Sequence, residues 1–139
     1  MSGILINLLL STFMTGVIWI IQLVHYPSFR FIAESSWSKA HRNHVFSTSL
    51  IVAPVMVLEL GSRLYLLYLQ TNLTTISATT LLIMIWLSTF TIQVPLHNKL
   101  EQAWSLKVVN DLVYSNWIRT VLWTLTTGIL LIGYTRDLG

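Results

Sequence analysis

The 139-residue chain is 54% apolar and only 9% charged, carries a formal charge of +3 and contains no cysteine. A soluble domain carries roughly 25% charged residues, so thirteen charged side chains cannot supply a polar shell around so apolar a chain. An ordinary soluble domain, a disordered chain and a nucleic-acid module are excluded, the last because few basic residues are spread along the whole sequence; the missing thiols exclude disulfides, zinc–thiolate sites and a cysteine nucleophile.

Four long apolar stretches follow in chain order, at about 3–24, 45–69, 80–96 and 117–134. All four fall within the length of about 17–25 residues that a membrane-spanning helix needs, the third only just. The fold expected is an all-α, integral membrane, four-helix antiparallel bundle forming one domain. The first stretch has no basic leader and no small-residue cleavage pattern, so it reads as a retained span. Pro27 is expected to end span 1. Pro54 and Pro95 are expected to kink spans 2 and 3.

The link over residues 70–79 is short and uncharged. The other two links are about twenty residues long and carry Arg30, Glu34, Lys39, Arg42, Lys99, Glu101, Lys107 and Asp111, with Arg119 at the mouth of span 4. Only Arg63 and Arg136 of the eight basic residues lie towards the other side. The positive-inside rule then puts the long links in the cytoplasm and both termini outside. Asn72-Leu73-Thr74 would be an outside glycosylation sequon. The long links are expected to be partly helical and to lie flat at the interface. Ser35 or Ser36 would cap a helix running through Trp37, Ala40, His41 and His44 into span 2, and Leu100, Trp104 and Val108 form a second stripe. Trp37, Trp104 and Trp117 read as belt residues, whereas Trp19, Trp86 and Trp123 lie deeper. A faint repeat relates Ile21-Gln22-Leu23-Val24-His25 to Ile92-Gln93-Val94-Pro95-Leu96-His97.

The four histidines are His25, His41, His44 and His97. An up-down-up-down bundle brings all of them to one membrane face. Ser11, Thr15, Gln22 and His25 form one polar stripe, Thr89, Gln93 and His97 a second, and Asn116, Arg119, Thr120 and Trp123 a third. Polar groups in hydrocarbon are costly and turn towards the bundle interior, which predicts a histidine-lined pocket at the cytoplasmic face. Neutral imidazole relays protons and ligates metals. His25, His41, His44 and His97 together would suit iron, copper or zinc, and His25 with His97 would suit the axial positions of a haem. Glu59 and Arg63, one helical turn apart, read as a buried pair, with a proton-handling carboxylate as the alternative.

Val94-Pro95-Leu96-His97-Asn98-Lys99-Leu100, Trp104 and Asn116-Trp117-Ile118-Arg119-Thr120 resemble small four-span membrane proteins related to anthrone oxygenases. The resemblance covers mainly the C-terminal half and excludes His25-Tyr26-Pro27 and His41-x-x-His44. It implies a four-helix membrane fold, attention to Pro95, Asn98, Trp117 and Arg119, and, for some members, oxygenation of polycyclic phenolic substrates without a bound cofactor. Together with the histidines it points to a membrane-embedded, oxygenase-like oxidoreductase for an apolar or aromatic small molecule. A histidine would be the base, and Asn98 or Asn116 would stabilise the anion. The alternatives are a haem- or metal-binding electron-transfer protein, which predicts a coloured or metal-loaded preparation, and a non-catalytic scaffold or small transporter subunit, which predicts a packed interior without a ligand-sized cavity and histidines held in local hydrogen bonds. No phosphate- or dinucleotide-binding motif occurs, and the spans have no strong small-residue pattern that would fix an oligomeric state.

Overall fold

The computed structural model describes residues 2–138, and every element among them is helical. Four helices are long and apolar enough to cross a membrane: α1 (Gly3–Phe31), α2 (Glu34–Leu69), α3 (Leu73–Gln102) and α4 (Leu106–Leu138). They form the expected antiparallel bundle. The helices pack in ring order, α4 closing onto α1, and the seams α1–α4 and α3–α4 are the most extensive. Ile18, Leu82, Ile85, Leu112 and Trp123 are among the side chains that fill the interior. Ile6, Leu9, Leu50, Leu58, Leu87 and Leu125 point outwards, as a lipid-facing surface requires.

The links are shorter than the sequence implied. The breaks fall at Ile32–Ala33, at Gln70–Asn72 and around Ala103, where the backbone becomes extended. The expected interfacial helices are instead end turns of the spans. At about 1.5 Å per residue, the 36 residues of α2 reach well beyond a hydrocarbon core of about 30 Å. Trp37 is therefore not a belt residue: it is buried and its Nε1 donates to the Leu100 carbonyl. Leu100 and Val108 sit on different helices rather than on one stripe. Neither Ser35 nor Ser36 caps α2, which starts at Glu34 without a side-chain cap. Asn72 caps α3 by accepting from the Thr75 N–H, and Thr75 accepts in return from the Asn72 N–H.

Pro27 does not end α1. Two helices instead contain a wide, five-residue π turn, over Ile21–His25 in α1 and Thr89–Gln93 in α3. The Tyr26 N–H bonds the Ile21 carbonyl and the Val94 N–H bonds the Thr89 carbonyl. A proline follows each turn, Pro27 and Pro95, and stands in the first helical positions after it. Proline lacks an N–H and its ring crowds the carbonyl four residues back; the wider turn eases that crowding without breaking the rod. The two π turns and their prolines correspond three residues out of register with the Ile-Gln match seen in the sequence. The structural repeat therefore lies in the backbone device rather than in the aligned side chains.

Candidate functional site

The π turn in α1 decides which side chain faces inwards. It inserts one residue into the helical register, so Tyr26, and not His25, occupies the buried position below Gln22. His25 is only partly buried. The turns Trp37–His44 at the start of α2 bring His41 and His44 to the same end of the bundle, and the turn after Pro95 brings His97 there.

The aromatic rings form a column. Trp37 stacks on His41 at 5.1 Å between centroids, His41 on His97 at 5.3 Å, His97 on His44 at 5.5 Å and His44 on His25 at 4.4 Å. The interplanar angles all lie between 23° and 29°. Phe29 and Tyr26 brace the column edge-on. His41 Nε2 lies 3.0 Å from His97 Nδ1, and His97 Nε2 lies 3.0 Å from the Tyr26 hydroxyl. His44 Nδ1 is 3.1 Å from Thr48 Oγ1.

This arrangement does not fit the haem and metal readings. Both ring nitrogens of His97 are already engaged and His44 stacks between His25 and His97, so the expected axial pair His25–His97 is not available, although His25 Nε2 itself has no partner in the chain. Among the described residues no three His, Asp or Glu side chains converge on a point where a metal ion would sit.

A cavity of about 440 Å³ lies beside the column, at the seam between α2 and α3. Its walls are apolar, with Val52, Ala53, Met56, Phe90 and Val94 prominent. Tyr26, His44, His97 and Arg119 also line it, together with Trp86. The outward-facing Val57 and Phe90 border its mouth. Arg119 is 5% exposed, stands over the Trp123 ring at 5.3 Å and faces the Tyr26 hydroxyl. Arg119 Nε and Trp86 Nε1 are buried donors without a partner in the chain. Buried donors are normally satisfied, so two orphans on one apolar cavity mark a place for an acceptor. A cavity of this size departs from the packed interior expected of a pure scaffold, whereas the hydrogen bonds that hold His41, His44 and His97 match the other half of that expectation.

The remaining predicted residues divide between support and surface. Gln22 accepts from Asn116 Nδ2 at 2.9 Å and donates to the Val113 carbonyl, and Gln93 donates to Ser115. These groups tie α1 and α3 to α4 and do not line the cavity. Asn98 does not belong to the site: it follows His97 by one residue, which turns it away on the helix, and it is exposed. Trp117 is exposed too, edge-on to Trp19. Asn116 is buried but is held by Gln22, so neither asparagine is free to stabilise an anion in the cavity.

Glu59 and Arg63 lie deeper and form a separate network. Both are fully buried, 3.6 Å apart. Ser11 bridges them, donating to Glu59 Oε1 and accepting from Arg63 Nη2. Trp123 Nε1 donates to Glu59 Oε2, and Arg63 Nε donates to Asn7. Residues absent from the sequence expectation are Tyr26, Phe29, Thr48 and Met56; only the helical spacing from Gln22 to Tyr26 pointed to one of them. Comparison with known protein families, curated proteins and solved structures found no match to the chain.

Proposed function

We propose that the chain is a membrane-embedded, oxygenase-like oxidoreductase for an apolar, weakly acidic aromatic molecule such as a polycyclic phenol or anthrone. The observation that carries this reading is the cavity at the α2–α3 seam, apolar along its length and polar where Tyr26, His44 and Arg119 meet. An aromatic body fits the walls, and an oxygen substituent fits the orphan donors of Arg119 and Trp86. His44 acts as base: with its Nδ1 held by Thr48, its Nε2 accepts a proton from the acidic carbon. Arg119 stabilises the resulting enolate. Dioxygen then takes an electron from the carbanion, and the two radicals combine to a peroxide. The proton returns from His44, and loss of water leaves a carbonyl where the CH₂ stood. The resemblance to anthrone oxygenases supports the same chemistry, with Arg119 shared by both arguments and Asn98 by the resemblance alone. The excess of basic residues at the histidine end supports a site on the cytoplasmic side.

The test is oxygen uptake with anthrone in nanodiscs holding the full chain. His44→Gln is expected to lower turnover about 10²-fold or more, the usual worth of a positioned base, and Arg119→Met by a similar factor. Asn98→Ala is expected to keep wild-type turnover. Full turnover in the His44 and Arg119 variants would overturn the assignment.

A further inference from the structure

The cavity is joined to a second, outer space by three side chains in line. His97 and Tyr26 line the cavity. His41 lines a surface groove of about 590 Å³ together with Arg42 and Glu101. Between the two spaces run the Tyr26 hydroxyl, His97 and His41, with both links at 3.0 Å. Each imidazole is bonded through its Nε2 to its inner neighbour, and the Nδ1 of His97 meets the next ring. His41 Nδ1, at the outer end, is buried and has no partner in the chain, and the groove acid Glu101 is the charged group acting on His41.

We infer that Tyr26, His97 and His41 form a proton wire that exchanges protons between the buried cavity and the groove beside Glu101. A hydroxyl and two neutral imidazoles linked head to tail have two orientations of one proton chain. In the first, Tyr26 donates to His97 Nε2, His97 Nδ1–H donates to His41 Nε2, and His41 Nδ1–H is the buried outer end of the chain, on a residue that lines the groove. In the second, every proton has moved one link. One proton has entered at the Tyr26 oxygen and one has left from His41 Nδ1 to Glu101 or water, and each member is neutral as before. The wire thus moves a proton without placing a net charge in an apolar interior, where an isolated charge is costly. The five-ring column explains why the rings hold this alignment: stacking on Trp37 and His44 fixes the planes of His41 and His97. This inference rests on the cavity being the place where the ligand sits, and it does not require the ligand to be oxygenated.

The wire is tested first without a ligand. The chain has only four histidines, so ¹⁵N-histidine spectra of the full protein in nanodiscs resolve each ring. Tyr26→Phe removes one oxygen atom and is expected to shift the tautomer balance of His97 and also of His41, which Tyr26 does not touch. A change confined to His97 would overturn the wire. The second measurement uses bound 2-naphthol and follows exchange of its hydroxyl proton with D₂O. His41→Phe is expected to slow exchange about 10²-fold with naphthol affinity unchanged; an unchanged exchange rate would overturn the wire. Failure of naphthol to bind would count against the cavity reading alone, and the tautomer spectra would still decide the wire.

Discussion

Glu59 and Arg63 show what a charge costs inside this bundle. Each is fully buried; Ser11 and Trp123 bond the two Glu59 oxygens, and Asn7 and Ser11 take Nε and Nη2 of Arg63. Removing one member of such a pair leaves an uncompensated charge, a loss of roughly 3–5 kcal/mol. Glu59→Gln is therefore expected to lower the thermal stability of the detergent-solubilised protein strongly. Glu59→Gln combined with Arg63→Met is expected to recover part of that loss, because no charge is then stranded. A single-variant loss below about 1 kcal/mol, the range of an exposed pair, would mean that Arg63 is compensated elsewhere. The spacing of the two residues made this pair legible in the sequence. Its partners were less so: Ser11 was visible as part of a polar stripe, and Asn7, one turn before it on the same helix, continues that spacing, but nothing local to either helix says that this stripe meets Glu59 and Arg63. The histidines show the same division. Topology alone brought them to one end, but Asn98, chosen by motif, is exposed, and Tyr26 replaced His25 at the inward position because a π turn added a residue to the register.

At the scale of the elements, α2 is the helix that makes room. It packs less extensively on α1 and α3 than α4 does on the same neighbours, and the cavity lies along its seam with α3. Ala53 stands on the outward side of α2 at this seam, where a small side chain leaves the mouth open. Ala53→Trp is expected to weaken naphthol binding about tenfold or more, equivalent to at least about 1.4 kcal/mol, while thermal stability changes little because the new ring sits on the lipid-facing surface. Fluorescence titration in nanodiscs measures the first and thermal unfolding the second; unchanged affinity would mean that ligand does not enter through the seam. The spans were legible from hydropathy, since their lengths and order follow from the solvent they must occupy. The π turns were not, because proline in a helix signals a disturbance without saying whether the rod breaks, kinks or widens. Pro27 read as a terminator for that reason. The helix from Trp37 through His44 into span 2 was legible from its spacing, and α2 is continuous there; that this segment and the one around Leu100 do not lie flat at the interface was not, because their charges end the hydropathy signal.

For the whole molecule, charge asymmetry and histidine placement coincide. Arg30, Lys39, Arg42, Lys99, Lys107 and Arg119 all lie towards the end that carries the ring column, against Arg63 and Arg136 towards the other. Lys and Arg near the ends of short connections resist translocation, so the column end is expected on the cytoplasmic side with both termini outside. A chain without native cysteine makes this directly measurable. Ser38→Cys marks the column end and Thr71→Cys the opposite end, and both positions are exposed. In intact cells a membrane-impermeant maleimide is expected to label Thr71→Cys at once and Ser38→Cys only after permeabilisation. The reverse pattern would put the groove beside Glu101 on the outer face. The wire would then exchange protons with the outside medium, and a cavity reached from the lipid would be coupled to external rather than cytoplasmic pH. Equal labelling of both would mean that the +3 charge is too small to choose one orientation, and each orientation would then give the cavity access to a different side.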